Sequence, residues 1–380
     1  ADGAVHQPML DGNGQQIPRY TLFSLWDTFR GLHPLLTITD PGRVDGMMHS
    51  LYGFYQEQGL LPTWDLMSNE TDVMIGYHAV PVLVDAYLKG LTTAKPEHLL
   101  AAAKASAMQN KFGVDFYRQY GYVPSDLDVE AVSKTLEYAY DDWAIAQLAK
   151  AMQKEDDYQL FSQRAQSYRQ LFDAKTGFMR GKTKNGDWVS PFNPTYVAHR
   201  TTDYTEANAW QYNFFVPHDV PGLIKLLGED EFVRQLDLTF DSGKFDMANE
   251  PDITYPFLYN YLGQTSQSSN RVKQLIKQHY HNPPAGLPGN DDAGTLSAWL
   301  VFSMLGLYPT EPGTPNYTLF QPRIKAARIA LDPQFYPGKI IEIKQKTSGR
   351  LLWSQQALPT PFVSHQALVQ GGVLELSAKD

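Results

Sequence analysis

Apolar side chains recur every three or four positions through most of the chain, which is the spacing that one face of an α-helix requires. This spacing defines a series of helical segments between residues 41 and 306. The segments cover residues 44–58, 73–91, 99–116, 129–152, 158–172, 207–227, 231–240, 252–262, 269–280 and 296–307. They follow one another without strand patterns between them, so we predict an all-α domain.

Some of these segments are apolar on more than one face, as at residues 80–84 and 143–146. A helix that is apolar all round is buried on two sides. Concentric layers of helices bury inner helices in this way, so the pattern favours an α/α toroid over a simple bundle.

The pattern changes beyond Pro309, where short runs alternate apolar and polar residues and predict β-strands. These runs cover residues 324–331, 339–346, 351–353 and 372–376. Residues 1–20 are polar, show no period and predict an extended lead-in. We therefore divide the chain into this lead-in, a helical domain at 21–309 and a small β-strand region at 310–380.

Composition narrows the possible functions. The net charge of -9, without a basic stripe, counts against nucleic-acid binding. The absence of cysteine excludes disulfides, thiolate nucleophiles and cysteine-based zinc sites. No apolar run reaches the ~20 residues of a membrane span. Aromatic residues make up 13% of the chain, which is compatible with a sugar pocket as well as with an ordinary core.

Two adjacent carboxylates stand between glycines in the run Gly289–Gly294, just before an apolar helix. One interpretation is helix capping, with Asn290 as N-cap and Asp291 and Asp292 favourable to the positive end of the helix dipole. The other is a pocket, because flanking glycines allow backbone and ligand to approach closely. One carboxylate would then serve as a base or bind a cation.

A second motif places Asp27 and Arg30 in the aromatic run 23–30, three residues apart and on one side of a helix. They form either a buried ion pair or, together with an exposed Trp26, a binding site for a pyranose ring. In the latter case the indole stacks on the sugar and the carboxylate accepts from two hydroxyls.

Glu206 follows Thr205 at the start of a predicted helix that is otherwise apolar and aromatic. It is either a first-turn acid behind a Thr205 N-cap or a carboxyl desolvated against Trp210, which would hold its proton at neutral pH as a general acid must. Glu250 and Asp252 lie in a Pro-bounded loop, where a solvated helix face does not explain them.

Asp141 and Asp142 also form an acidic pair, together with Glu137, in a regular predicted helix. We interpret this group as structural, with Lys134 as the nearby partner.

Six blocks together resemble the catalytic region of glycoside hydrolase family 92, whose members are calcium-dependent exo-α-mannosidases. The blocks are FSLWDTFRGLHPLL, IGYHAVPVLVDAYLKG, KTLEYAYDDWAIAQLAK, TEANAWQYNFFVPHD, NEPDITYPFLYNYLG and GNDDAGTLSAWLVFSMLGLYP. They run from about Tyr20 to Pro309 in the order of the family. The resemblance implies an (α/α)6 toroid preceded by an N-terminal β-sandwich domain. We expect that this β-sandwich, either as a domain or as a separate chain, is missing from this sequence.

The resemblance also implies roles. Glu206 would be the general acid and Asp292 the general base, with Asp291 or Asn290 organising water and metal. Glu250 would lie near the leaving sugar. The residue before it is Asn249, where the α-1,2 enzymes of the family often carry His, and this departure counts against α-1,2 specificity.

Further residues follow from the same blocks. Substrate-binding candidates are Trp26, Asp27, Arg30, His33, Trp210, Gln211, Asn249 and Glu250. Calcium-ligand candidates are Asn249, Glu250, Asp252, Asn290 and Asp292. Oxygen ligands suit Ca²⁺, and the cis O2 and O3 hydroxyls of mannose can replace two of its waters.

We therefore expect a calcium-dependent, inverting exo-α-mannosidase that removes terminal non-reducing mannose from glycoprotein glycans or yeast-type mannan, and that is periplasmic or secreted. Inversion requires acid and base carboxyls ~6.5–9.5 Å apart. The alternatives are a non-catalytic mannose-binding fragment of a split enzyme, or an α/α-toroid hydrolase acting on another sugar.

Overall fold

The computed structural model describes residues 9–10, 14–198 and 202–377, and within these ranges the fold is mainly helical with small sheets towards the C-terminus. The α-helices are α1 Leu25–Thr28, α2 Leu32–Thr39, α3 Pro41–Gln58, α4 Ala79–Leu88, α5 Pro96–Ala107, α6 Val114–Tyr120, α7 Ala131–Ala151, α8 Glu155–Arg164, α9 Ala209–Tyr212, α10 Val220–Leu227, α11 Glu229–Asp241, α12 Thr265–His279, α13 Thr295–Leu305 and α14 His365–Leu368. Short 3-10 helices cover Ser167–Leu171, Pro217–Asp219, Tyr255–Leu262 and Asp292–Gly294.

The strands of the described residues are short. They are β1 Met9–Leu10, β2 Gln16–Ile17, β3 Asp65–Leu66, β4 Asn69–Glu70, β5 Phe172–Asp173, β6 Phe178–Met179, β7 Leu307–Tyr308, β8 Asn316–Leu319, β9 Ala326–Ala330, β10 Ile340–Gln345, β11 Leu352–Trp353, β12 Gln356–Ala357, β13 Phe362–Ser364 and β14 Gly372–Leu376. Two antiparallel pairs, β3–β4 and β5–β6, lie between helices, so the expectation of helices without intervening strands is wrong.

Several predicted helices are shorter or broken. The segment 73–91 contains only α4, and the segment 158–172 divides into the end of α8 and the 3-10 helix Ser167–Leu171. The segment 99–116 is two helices, because Phe112 and Gly113 adopt left-handed backbone angles between α5 and α6. The segment 207–227 is interrupted before α10, where Pro217 and Pro221 remove the amide donors that a continuous helix needs. The segment 252–262 forms a 3-10 helix.

Helix α7 lies at the centre of the helical body. Every residue from Ala131 to Asp142 is buried, and the helix packs against α4, α5 and α8. A helix enclosed on all faces fits an inner-ring helix, as the predicted toroid requires.

Two sheets form the β-strand region. Five strands pair in the order β12-β11-β14-β10-β9, with β10 and β14 parallel, and the predicted strands at 324–331, 339–346, 351–353 and 372–376 all lie in this sheet. The other sheet has the order β13-β8-β7. The predicted boundary at 309 falls between β7 and β8, which pair with each other.

Part of the predicted lead-in packs on the helical body. Strands β1 and β2 pair, and the Tyr20 amide donates to Ser50 on α3 at 2.9 Å. Residues 1–8 and 11–13 lie outside the described residues. Within the described ranges, no helix combines the length and apolar composition that a membrane crossing requires.

Candidate active site

Three carboxylates from distant parts of the sequence meet at one point. Oxygen atoms of Asp27, Glu250 and Asp292 all lie within 4.8 Å of one another. Helix α1 carries Asp27 and contacts the 3-10 helix that begins at Asp292, while Glu250 belongs to the loop before Tyr255–Leu262. We call these three residues the carboxylate cluster.

The cluster is poor in compensating contacts. Glu250 is 1% exposed, and neither of its carboxylate oxygens meets a hydrogen-bond donor of another described residue. Burial, followed by the charges of Asp27 and Asp292, raises the pKa of Glu250 to about 9. Like charges that are desolvated together cannot all remain ionised unless a cation joins them. The cluster therefore holds protons or a cation at neutral pH.

The other two members differ in their partners. Burial and the charge of Asp292 raise the pKa of Asp27 to about 7, although a hydrogen bond from Ser24 and the charge of Arg30 oppose the rise. Burial, then the neighbouring Asp291, raises the pKa of Asp292. Asp292 is only half-buried, so water reaches this side of the cluster.

The two aspartates of the Gly289–Gly294 run make different contacts. Asp291 accepts from the Ser297 amide and hydroxyl, each at 2.8 Å, and its carbonyl accepts from the amide of Thr295 at 2.8 Å. Asp291 thus caps α13, and the predicted cap Asn290 is exposed instead. Asp292 has a left-handed backbone (φ 44°) and belongs to the carboxylate cluster.

Glu206 lies on an exposed turn with φ 51°. The residue that caps the following helix is Asn208, whose side chain accepts from the Trp210 amide at 2.9 Å, so the predicted Thr205 cap is wrong. The predicted packing of Glu206 against Trp210 is also absent, because Glu206 is exposed and the Trp210 ring packs edge-on against Phe178 at 4.8 Å.

Glu206 nevertheless lies near the carboxylate cluster. Its charge is one of those that raise the pKa of Asp27. The Asn249 side-chain amide donates to the Glu206 carbonyl at 3.2 Å, which ties this turn to the loop that carries Glu250. Two loops about forty residues apart therefore contact each other beside the cluster.

Arg30 lies beside the cluster and is buried. Its guanidinium is 4.9 Å from the centroid of Trp26, and Nη2 is 3.7 Å from Glu137 Oε1. Its positive charge opposes the rise of the pKa of Asp27 and of Glu250. The predicted ion pair between Asp27 and Arg30 is therefore not formed. Asp27 bonds to Ser24 instead, and Arg30 approaches Glu137.

Trp26 does not expose its ring. It is 1% exposed, and its indole donates to Glu137 at 2.9 Å, so the expectation of an exposed stacking face is wrong. Glu137 also accepts from Tyr212 at 2.7 Å and from His78. Burial lowers the pKa of His78, but the charges of Asp141 and Glu137 outweigh it and raise the pKa to about 9.

The acids of α7 are structural, as predicted, but their partners differ from the prediction. Asp141 bonds to His78 at 2.7 Å and Asp142 to Arg164 at 2.7 Å. Lys134 pairs instead with Asp128 at 2.8 Å. The prediction that Lys134 pairs with the acids of α7 is therefore wrong.

Four further candidates lie outside the cluster. His33 stacks on Phe23, and burial lowers the pKa of His33 to about 4. Gln211 accepts from the Asn208 amide as part of the cap of α9, whose second residue is Trp210. Asp252 is fully buried, accepts from the Asp246 amide at 3.0 Å, and has its pKa raised by burial.

The cluster suits a hard divalent cation. Its ligands are carboxylate oxygens, and the unpartnered oxygens of buried Glu250 are a donor set for Ca²⁺. Of the acidic calcium-ligand candidates, Glu250 and Asp292 belong to the cluster and Asp252 does not. Asn249 and Asn290 stay predictions. Asp27 is the member that sequence reasoning placed in the substrate group instead. Its position beside Trp26 was visible, but its proximity to Asp292 was not.

Comparison with known proteins identifies the family of this chain. The model of the glycosyl hydrolase family 92 catalytic domain matches residues 2–380. A protein of Arthroderma benhamiae described as an uncharacterized secreted glycosidase is 26% identical over 395 residues, which cover 92% of this chain and 50% of that protein.

Two solved structures extend the comparison. A family 92 α-mannosidase of Bacteroides thetaiotaomicron, in complex with mannoimidazole, superposes with a TM-score of 0.90 at 33% identity, covering 97% of this chain and 52% of that one. A family 92 inverting mannosidase of the same bacterium superposes with a TM-score of 0.86 at 31% identity, covering 97% of this chain and 54% of that one. This chain spans about half the length of these relatives. Because the family model matches almost from end to end, the chain belongs to glycosyl hydrolase family 92.

Proposed function

We propose that the protein is a calcium-dependent, inverting exo-α-mannosidase that removes terminal non-reducing mannose from mannose-containing glycans. The observation that carries this proposal is the buried carboxylate cluster, together with Glu206, which lies near enough for its charge to raise the pKa of Asp27. Two superposed relatives are named as mannosidases, one of them inverting and one in complex with mannoimidazole.

Glu206 is the proposed general acid. Its exposed position lets it meet the leaving oxygen and regain a proton from water after each turnover. The bond from Asn249 to the Glu206 carbonyl brings Asn249 next to the proposed acid, which supports the proposal that Asn249 influences linkage.

Asp292 is the proposed general base. It is the half-buried member of the cluster, so it can hold a water against the anomeric carbon and accept its proton. Glu206 lies outside the 4.8 Å group that contains Asp292. Inversion requires the acid and base carboxyls to be ~6.5–9.5 Å apart, with a water between them.

Asp27 and Glu250, with Asp292, would hold the calcium ion, which when bound would orient the O2 and O3 hydroxyls of mannose. Asp27 is held by Ser24, so its remaining oxygen has a defined direction. The positive charge of Arg30 limits the repulsion between the carboxylates of the cluster.

A release assay on α-linked mannooligosaccharides, with and without EDTA, tests the proposal. Mannose release that EDTA abolishes and added Ca²⁺ restores is the expected result. The alternative of a mannose-binding fragment that needs a β-sandwich domain predicts calorimetric binding of mannose without release. It is retained because the chain spans half the length of its relatives.

We further propose that the protein works outside the cytoplasm, either secreted or in the periplasm. The support is the Arthroderma relative, which is described as a secreted glycosidase. Fractionation of the producing cells, followed by immunodetection, tests this placement, and a purely cytoplasmic pool would contradict it.

A further inference from the structure

A cleft of about 840 Å³ lies beside the proposed acid, away from the carboxylate cluster. Its walls come from residues 125–129, from the loop that carries Trp188, Phe192 and Tyr196, and from residues 202–204. We propose that this cleft binds a neutral oligosaccharide, namely the part of the glycan that extends beyond the leaving sugar. The inference rests on the proposed function, because it assigns the leaving-group side of the same reaction.

The cleft lies close to Glu206 along the chain and in space. Asp203 lines the cleft and precedes Glu206 by three residues, so their Cα atoms are at most ~11 Å apart. Val129 lines both this cleft and a smaller pocket that includes Thr205 and Glu206. This proximity would let a chain of sugars that leaves Glu206 in this direction reach the cleft.

The wall next to Glu206 is firmly attached to α7. The carbonyl of Asp203 accepts from the amides of Val132 and Ser133 at 3.0 and 3.2 Å. The amide of Thr205 donates to the Ser133 hydroxyl at 2.9 Å. Because one helix holds both the wall and the turn, a ligand in the cleft is positioned relative to the proposed acid.

The opposite wall presents aromatic rings, which stack on the C–H faces of sugars. Tyr196 is 58% exposed, whereas Trp188 and Phe192 are half-buried. Lys182 Nζ lies 4.2 Å from the Trp188 ring centroid, and the Arg180 guanidinium 4.9 Å from that of Phe192. These cations hold the rings of Trp188 and Phe192 in place, and Tyr196 is the most exposed of the three rings.

Polar groups complete the lining. Asp126 is exposed and Asp203 half-buried, so both offer carboxylate oxygens to hydroxyl donors. Thr183 Oγ1 is buried and bonds to no described residue. Carboxylates next to aromatic faces suit a neutral, hydroxyl-rich ligand.

The size of the cleft favours an oligosaccharide over one sugar. A volume of about 840 Å³ is near the upper end of the ~300–1,000 Å³ range of ligand pockets. One sugar ring would leave much of this space to water. We infer that substrates with an extended leaving group gain affinity here and that a single-ring leaving group does not.

The test compares Tyr196→Ala and Trp188→Ala with Phe335→Ala, a control at another exposed aromatic (38%) outside the cleft. The substrates are α-linked mannotetraoses of 1,2, 1,3 and 1,6 linkage and an aryl α-mannoside. The expected result is a fall of about tenfold in the ratio of kcat/KM for tetraose to that for aryl mannoside, mainly through KM. Phe335→Ala should keep the wild-type ratio. An unchanged ratio in Tyr196→Ala, or an equal loss on both substrates, overturns the proposal.

Calorimetry in a Glu206→Gln background separates this inference from the proposed function. Weaker tetraose binding in Glu206→Gln/Tyr196→Ala than in Glu206→Gln supports the cleft, even if the wild-type chain hydrolyses neither substrate and the mannosidase proposal fails. Equal affinity in the two variants overturns the cleft proposal whether or not the chain is active. Because Tyr196 is exposed, its replacement leaves the folded state intact, which circular dichroism verifies.

Discussion

The side-chain amide of Asn249 donates to the backbone carbonyl of Glu206 at 3.2 Å. This bond joins the turn of the proposed acid to the loop of Glu250, and so couples the carboxylate cluster to Glu206. Since Asn249 contacts the backbone and not the carboxyl of Glu206, it positions the acid without consuming its proton-donating group.

Glu206→Gln should lower kcat about 10²–10⁴-fold on oligosaccharides, because it removes the proton donor to the leaving oxygen. The loss should be much smaller on an aryl mannoside with an acidic leaving phenol, which departs without protonation. Steady-state kinetics on both substrates check this. An equal loss on both would contradict the role of general acid, and the exposed position of Glu206 predicts an unchanged unfolding temperature.

Asp292→Asn should lower kcat by about 10²–10⁴-fold, because the base that accepts the water proton is lost. Its unfolding temperature in EDTA should stay the same or rise, because one of the clustered negative charges is removed.

Asp291→Asn is the matched control for Asp292→Asn. It keeps an oxygen for the Ser297 amide and should retain most activity. Asp291→Ala should cost about 1 kcal/mol of stability through the lost cap. Comparable catalytic losses at Asp291 and Asp292 would refute the division of roles between them.

Calcium should stabilise the protein more at pH 8 than at pH 5. The folded-state pKa of Glu250 is raised to about 9 and that of Asp27 to about 7, so the folded chain holds protons that the unfolded chain releases. Without metal, stability therefore declines as pH rises from the ordinary carboxyl range towards these values. A cation replaces those protons and removes the decline.

Thermal unfolding in EDTA and in Ca²⁺ at pH 5 and pH 8 measures this difference. Glu250→Gln should flatten the pH dependence in EDTA, because it removes the group with the larger rise in pKa. A calcium effect that is equal at both pH values would rule out the cluster as the calcium site.

Arg30→Met should destabilise the fold by about 3–5 kcal/mol, because Glu137 loses a buried positive neighbour and the cluster loses its compensating charge. The double variant Arg30→Met/Glu137→Gln should recover part of this loss. Urea unfolding of the single and double variants gives the coupling between the two residues. Strictly additive losses would show that the 3.7 Å approach of Arg30 to Glu137 contributes nothing.

The sequence indicated the helical class, the strands at the C-terminal end and the family, because these depend on local periodicity and on the order of motifs. It also singled out Glu206, Glu250 and Asp292 as unusual acids. The apolar spacing predicted helices at 99–116 and 207–227 that are too long. Left-handed residues interrupt the first segment and prolines interrupt the second, and apolar spacing does not register either of them.

Only the tertiary structure decided which acids meet. Asp27 and Asp292 are 265 positions apart in the chain, and their contact depends on how α1 packs against the 3-10 helix Asp292–Gly294. The two adjacent aspartates at 291 and 292 look equivalent in sequence, yet backbone geometry assigns one to capping and the other to the cluster. Burial of Trp26 and the cleft beside Glu206 likewise depend on neighbours from distant segments, which periodicity along one segment cannot reveal.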